Sequence, residues 1–130
     1  MPLELVRSPD LTDRAPYACA ARVSGGSLVL TAGACPLDED GRIGPVGDHV
    51  GQAERVMANL VTALAACDAR LDDVAKTTVY VVTDDREDLV RVWDVVRSTF
   101  GDHDAPSTLL AVSLLGYEDQ LVEVEAIAVG

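Results

Sequence analysis

The chain has 130 residues, 48% of them hydrophobic, which is enough for one packed core and too few for two. Twenty-two acidic residues face ten basic ones (nine Arg, one Lys), giving a formal net charge of −12 with the cations scattered singly. Such a field repels polyanions and offers no cluster to displace counterions from phosphates, so nucleic acid is excluded as an expected partner.

The composition predicts a single domain over residues 1–130. No apolar run approaches the roughly 20 residues of a membrane helix. The start, Met1-Pro2-Leu3-Glu4, has no basic region followed by an apolar stretch, so a cytoplasmic protein without a membrane partner is expected. Cys19, Cys35 and Cys67 are odd in number and widely spaced, which predicts three reduced, mostly buried thiols rather than disulfides. His49 and His103 have no ligand-like spacing to each other or to a cysteine, so neither a metal nor another cofactor is expected.

In chain order, Tyr17 to Val23 and Leu28 to Ala32 read as two strands around the tight turn Ser24-Gly25-Gly26-Ser27. A polar loop follows Pro36, from Leu37 to Arg42. From Asp48 to Cys67, Val50, Ala53, Met57, Leu60, Leu64 and Cys67 recur at steps of three and four, one apolar stripe of a helix capped by Asp48. Lys76 to Val82 is β-branched and aromatic, hence a strand. Asp84 and Glu87 then resemble a capping pair. Leu89, Val92, Trp93, Val96 and Phe100 line one side of a second helix, which the segment before Pro106 breaks.

Ser107 to Leu114 is apolar on both alternating faces, predicting a strand buried on both sides. Leu121 to Val129 sets Val122, Val124, Ala126 and Ala128 on one face and Leu121, Glu123, Glu125, Ile127 and Val129 on the other. The order β-β-α-β-α-β-β predicts an α+β fold, a mixed β-sheet with two helices on one face. Two helices leave the second face uncovered, and self-association is the cheapest way to bury it.

Glu123 and Glu125 stand out chemically. They project from one face of the final strand, roughly 7 Å apart at a rise of about 3.3 Å per residue. One reading is a solvated face. The other notes that Leu121 and Ile127 flank the pair, and that a carboxylate in such surroundings can orient or deprotonate a water.

The ending Gln120-Leu121-Val122-Glu123-Val124-Glu125-Ala126-Ile127-Ala128 resembles the V-E-I-E-A-I-A signature of the Rid/YjgF family, also labelled endoribonuclease L-PSP-like. Asp73 to Val81 resembles that family's D-V-V-K-T-T-V-F-L strand. Leu30-Thr31-Ala32-Gly33 resembles its T-S-G strand end, and Ala15-Pro16-Tyr17 its G-P-Y. Gln52, Ala53, Asn59 and Leu60 fall where its first helix has Q-A and N-L. The resemblance implies a chorismate-mutase-like homotrimer with small-molecule pockets between subunits and deaminase-type hydrolase chemistry on imines.

By that resemblance Glu123 is the water-orienting catalytic residue, and Tyr17 and Gly33 are pocket residues. The family's deaminases hold an imino acid with an arginine in the motif P-A-R-S, whose guanidinium pairs bidentately with the substrate carboxylate. Here Pro106-Ser107-Thr108-Leu109-Leu110 places Thr108 where the arginine would stand and Leu110 where many members have cysteine. The expectation is therefore a subgroup lacking the catalytic arginine, poor on 2-imino acids, with a ligand that carries no carboxylate. Tyr117 is expected in a loop beside the pocket. Each of these residues also has a plain reading: Tyr17 as a sheet residue, Gly33 as a turn, Thr108 as strand filling, Tyr117 as a loop aromatic. The functional alternatives are a non-catalytic ligand-binding or chaperone-like trimer and a ribonuclease, the latter disfavoured by the acidic charge.

Overall fold

The computed structural model describes residues 2–130. In chain order it contains β1 (Leu3–Val6), β2 (Ala20–Val23), β3 (Leu28–Leu30), α1 (His49–Ala65), β4 (Val74–Val82), α2 (Arg86–Phe100), β5 (Ser107–Val112) and β6 (Val122–Val129), with a short 3-10 turn at Leu71–Asp73. The main sheet has the order β3-β6-β4-β5, and β1 and β2 form a separate two-stranded ribbon. β4 and β5 run parallel, joined across α2, while β6 is antiparallel to β4 and to β3. This is the expected α+β arrangement of a mixed sheet and two helices.

The predicted hairpin is not formed. β2 pairs with β1, a strand the sequence pattern did not reveal, and β3 pairs instead with β6. The physical reason lies in the Ser24–Ser27 turn, whose backbone bonds go to the two ends of the chain rather than across itself. Ser24 N donates to Pro2 O, and Ser27 and Gly130 exchange both backbone bonds. At Gly26, with φ of 82°, a Cβ would lie 2.9 Å from Val129 Cγ1, so a glycine is needed both for the backbone and for the close approach.

α1 follows its pattern closely. Asp48 caps it, Oδ1 accepting from Gly51 N at 2.9 Å, and Ala53, Met57, Leu60 and Leu64 are buried. Cys67 lies past the helix end and is exposed, as is Cys19, so the expectation of mostly buried thiols fails for two of the three. α2 begins with Asp85 rather than Asp84, because Thr83 Oγ1 accepts from Asp85 N and leaves the Asp85 carboxylate to accept from Glu87 N. Val92 and Val96 face inward.

Both helices pack on one face of the sheet, against Val79 and Val81 of β4 and Val122, Val124, Ala126 and Ala128 of β6. Full burial of each valine or leucine in this layer stabilises the fold by about 1.5–3 kcal/mol. Strand alternation sends Lys76, Thr78 and Tyr80 of β4 and Glu123, Glu125 and Ile127 of β6 to the opposite face. β5 ends at Val112 and occupies the sheet edge, so in the single chain it is not buried on both sides as expected. Thr108 and Leu110 point to the open face and are exposed. With Leu28, Leu30 and Ile127 also exposed, that face carries a broad apolar surface beside its polar groups.

Candidate functional site

The register sets out the open face as a grid. Across β6, β4 and β5, Glu125 stands opposite Thr78 and Thr108, while Glu123 stands opposite Tyr80 and Leu110. Thr108 and Leu110 therefore lie two strands from the carboxylates, roughly 10 Å away at about 4.8 Å per strand. The two glutamates have different surroundings. Tyr80 Oη donates to Glu125 Oε1 at 2.6 Å, and that bond to a carboxylate pushes the phenol above its ordinary range.

Glu123 is held by neighbours from two loops. Its Oε1 accepts from Gln120 Nε2 at 3.2 Å and from Cys35 Sγ at 3.3 Å. Burial, then the bond and charge of Glu123, push the Cys35 thiol from 9.0 up to about 11. It is a protonated donor at neutral pH and not a thiolate nucleophile. Glu123 Oε2 has no hydrogen-bond partner among the described residues, yet no buried side-chain oxygen there is left unpaired, so solvent reaches it. Gly33 lies directly over this carboxylate: a Cβ at Gly33 would fall 2.3 Å from Oε2 and 2.5 Å from Cδ.

Two amides on one side of α1 place these loops. Gln52 is fully buried, its Nε2 donating to Pro45 O at 2.9 Å and Asp119 O at 3.0 Å while its Oε1 accepts from Leu121 N at 2.8 Å. Seven residues on, Asn59 Nδ2 donates to Cys35 O at 2.8 Å and Leu37 O at 3.0 Å. The loop after β3 and the loop before β6 are thus fastened to the same helix. Tyr117 sits exposed in the second loop, where its backbone N donates to Gln120 Oε1 and its carbonyl accepts from Gln120 N, each at 3.2 Å.

Tyr17 belongs to a different cluster. Its ring packs edge-on against Trp93, with centroids 6.2 Å apart and planes at 86°, and together with Ser107, Thr108 and Leu109 they line a cleft of about 460 Å³. Of the sequence-predicted residues, Gly33 and Glu123 come together directly, and Tyr117 reaches them through Gln120. Tyr17 and Thr108 come together at the β5 edge, and Leu110 stands two strands from Glu123. Cys35 and Gln120 were not singled out as site residues. Position in the family-like ending marked Gln120, but nothing in the sequence marked Cys35.

The structure also removes one ground for expecting a ligand without a carboxylate. Thr108 does not stand without a cation: Lys76 Nζ, from the neighbouring β4, donates to Thr108 Oγ1 at 2.7 Å. Lys76 makes no ion pair among the described residues. With Leu30, Thr78, Glu125 and Ile127 it lines a small cavity of about 240 Å³. Among the described residues no group of three or more His, Cys, Asp or Glu is placed to hold a metal ion.

The family described as Endoribonuclease L-PSP matches residues 9–130. A RutC family protein of Pyrococcus abyssi is 37% identical over 114 residues, 87% of this chain and 85% of that protein. A 2-iminobutanoate/2-iminopropanoate deaminase of Salmonella typhimurium is 33% identical over 125 residues, covering 91% of this chain and 94% of its own. Among solved structures, a putative endoribonuclease from Thermotoga maritima superposes with a TM-score of 0.73 at 32% identity, over 98% of this chain and 97% of the other. A protein of unknown function of the Rid family from Yersinia pestis reaches a TM-score of 0.92 over 99% of both chains at 23% identity, a likeness of fold. Family match, sequence identity and fold agree, and the chain belongs to the Rid/YjgF family.

Proposed function

We propose that the chain forms a chorismate-mutase-like homotrimer and hydrolyses a small imine or enamine at clefts between subunits. The observation that carries the chemistry is Glu123, anchored through Oε1 and presenting an unpartnered, solvent-reached Oε2 beside Gly33. A water donating to Oε2 is oriented toward the imine carbon. The C–O bond forms as one water proton passes to nitrogen, giving a carbinolamine. Its C–N bond then breaks as the hydroxyl proton passes to nitrogen, so that ammonia leaves and a carbonyl compound remains. The deaminase name of the Salmonella typhimurium relative supports this class. Assembly is supported by the exposed aliphatics of the open face and by the division of the site. Tyr17 with Thr108, and Gly33 with Glu123, form two separate clusters in one chain, which a neighbouring copy can bring together.

Lys76 gives the pocket a point charge, whereas the family's deaminases use a planar guanidinium fork that pairs bidentately with a carboxylate. 2-Imino acids are therefore poor substrates, while a ligand with a carboxylate can still be held. The net charge of −12 weighs against a polyanionic RNA substrate. The test is turnover of 2-iminobutanoate and of a neutral enamine by wild type and Glu123→Gln. Loss of measured turnover in Glu123→Gln supports hydrolysis. Equal rates of product formation with wild type, Glu123→Gln and no protein would refute it.

A further inference from the structure

We propose that Cys35 and Gln120 act together as positioning residues, two neutral donors that fix one oxygen of Glu123 so that the other is left to act. This rests on the hydrolytic reading of Glu123 and adds to it a division of labour between the two carboxylate oxygens. Three observations carry it. Both donors converge on Oε1, at 3.2 and 3.3 Å, and neither touches Oε2. Gly33 leaves room for the side chain to lie across its Cα, at a place where any larger residue would collide with Oε2, Cδ and Cγ. And Oε2, without a partner, is not sealed from solvent.

Gln120 cannot turn over. Its Nε2 donates both to Val122 O at 3.1 Å and to Glu123 Oε1, and its Oε1 accepts from Tyr117 N. A flipped amide would set its oxygen against a carbonyl and a carboxylate, and the residue is buried, with 3% of its surface exposed. The Cys35 S–H has two acceptors in reach, Gly33 O at 3.4 Å and Glu123 Oε1 at 3.3 Å. The charged oxygen is the stronger acceptor and receives the hydrogen bond. Thiols are weak donors, yet burial, with the bond and charge of Glu123, keeps this one protonated and so keeps it a donor across the neutral range.

The choice of neutral donors has a chemical consequence. A lysine or arginine at either place would anchor Oε1 as well, but its full charge would draw down the proton affinity of the whole carboxylate. An amide and a thiol orient the group with partial charges and leave its negative charge for the water on Oε2. Cys35 is accordingly no modification site: a protonated, half-buried thiol engaged with a carboxylate reacts slowly with electrophiles, unlike the exposed Cys19 and Cys67.

The test uses the full chain with Cys19→Ser and Cys67→Ser, so that one thiol remains to be titrated by its ultraviolet absorbance. With Glu123 present the thiol, pushed up to about 11, should titrate there. Glu123→Gln should bring it part of the way from 11 toward 9.0, because the negative charge is removed and an amide oxygen is left as the weaker acceptor, while burial is unchanged. An unchanged midpoint would overturn the contact, whatever the protein's activity. In the second arm, turnover of a neutral enamine should fall roughly 3- to 10-fold in kcat with KM unchanged for Cys35→Ala, and Cys35→Ser should restore it. A merely structural role would give losses in both variants that follow thermal stability, and that result would also overturn the proposal. If wild type turns over nothing, the hydrolytic reading fails, and the thiol titration alone then decides whether the two side chains are joined.

Discussion

A Cβ on Gly33 would lie 2.3 Å from Oε2 of Glu123, closer than any pair of unbonded heavy atoms can approach. Gly33 has no positive φ, so its role is space and not backbone freedom. Gly33→Ala should therefore fold with a modest loss of stability, about 1–3 kcal/mol by overpacking, and lose the Glu123-dependent turnover. Adding Glu123→Ala should return most of the stability and none of the activity. Denaturant melts of the two single variants and the double variant read the coupling directly.

Gln52 should prove among the costliest side chains to truncate. It is fully buried and makes three hydrogen bonds to backbone groups of two loops. Gln52→Ala leaves buried backbone groups unpaired and opens a void, costing about 2–4 kcal/mol. Urea unfolding midpoints measure it, and a loss below about 1 kcal/mol would show that water replaces the amide.

Lys76 predicts how the pocket responds to ligand charge. Calorimetry with carboxylic acids and their amides should show Lys76→Met weakening the acids roughly 5- to 30-fold and leaving the amides within about twofold. Thr108→Arg should raise activity on 2-imino acids in part, and more so with Lys76→Met, since the new guanidinium would otherwise meet the ammonium now bonded to Thr108. A folded double variant with no gain would place the obstacle elsewhere, with Leu110 the first suspect.

Cys35 also makes an alkaline prediction. Its proton is held more tightly in the folded chain, about 11 against 9.0, so its contribution is fully present below pH 9 and is lost as pH rises toward 11. Between those limits wild type should lose more stability than Cys35→Ala, read as the change in urea midpoint at successive pH values. Parallel curves for the two proteins would contradict this.

Sedimentation at micromolar concentration should show a trimer. Leu30 is 69% exposed and Leu28 62% exposed on the open face of the single chain, a costly surface to leave in water. Leu30→Glu should shift the equilibrium toward monomer, and a stable wild-type monomer would refute the assembly.

The helices were legible in the sequence because a period near 3.6 needs no knowledge of distant residues, and Asp48 marked the first start without help. The strands were legible as strands but not as partners. Gly25-Gly26 has the composition of a hairpin turn, yet its flanking amide and carbonyl groups find Pro2 and Gly130, at opposite ends of the chain. β1 escaped notice because four residues give too little alternation to read. At the site, Glu123 was legible from its place among apolar neighbours on β6 and from the family resemblance. Cys35 was not, because its role exists once the loop after β3 meets β6, a contact spanning 88 residues. Lys76 was seen as a strand residue. That it reaches Thr108 depends on the β4–β5 register, which pairs Thr78 with Thr108 and which no local pattern encodes.

The two amides of α1 have a further consequence for how this scaffold tolerates change. Gln52 and Asn59 lie seven residues apart, two turns along one stripe of the helix, and each clasps loop backbone rather than loop side chains. Sequence in those loops is thereby released from the task of setting their shape. The stretch Asp38 to Arg42 lies beyond the Asn59 clasp at Leu37, in a turn closed by Asp38 Oδ1 accepting from Asp40 N and Arg42 N. Residues can be inserted or exchanged there while Cys35 stays where the helix holds it. A new recognition segment grafted at that turn would inherit the fixed Glu123 carboxylate without having to rebuild one.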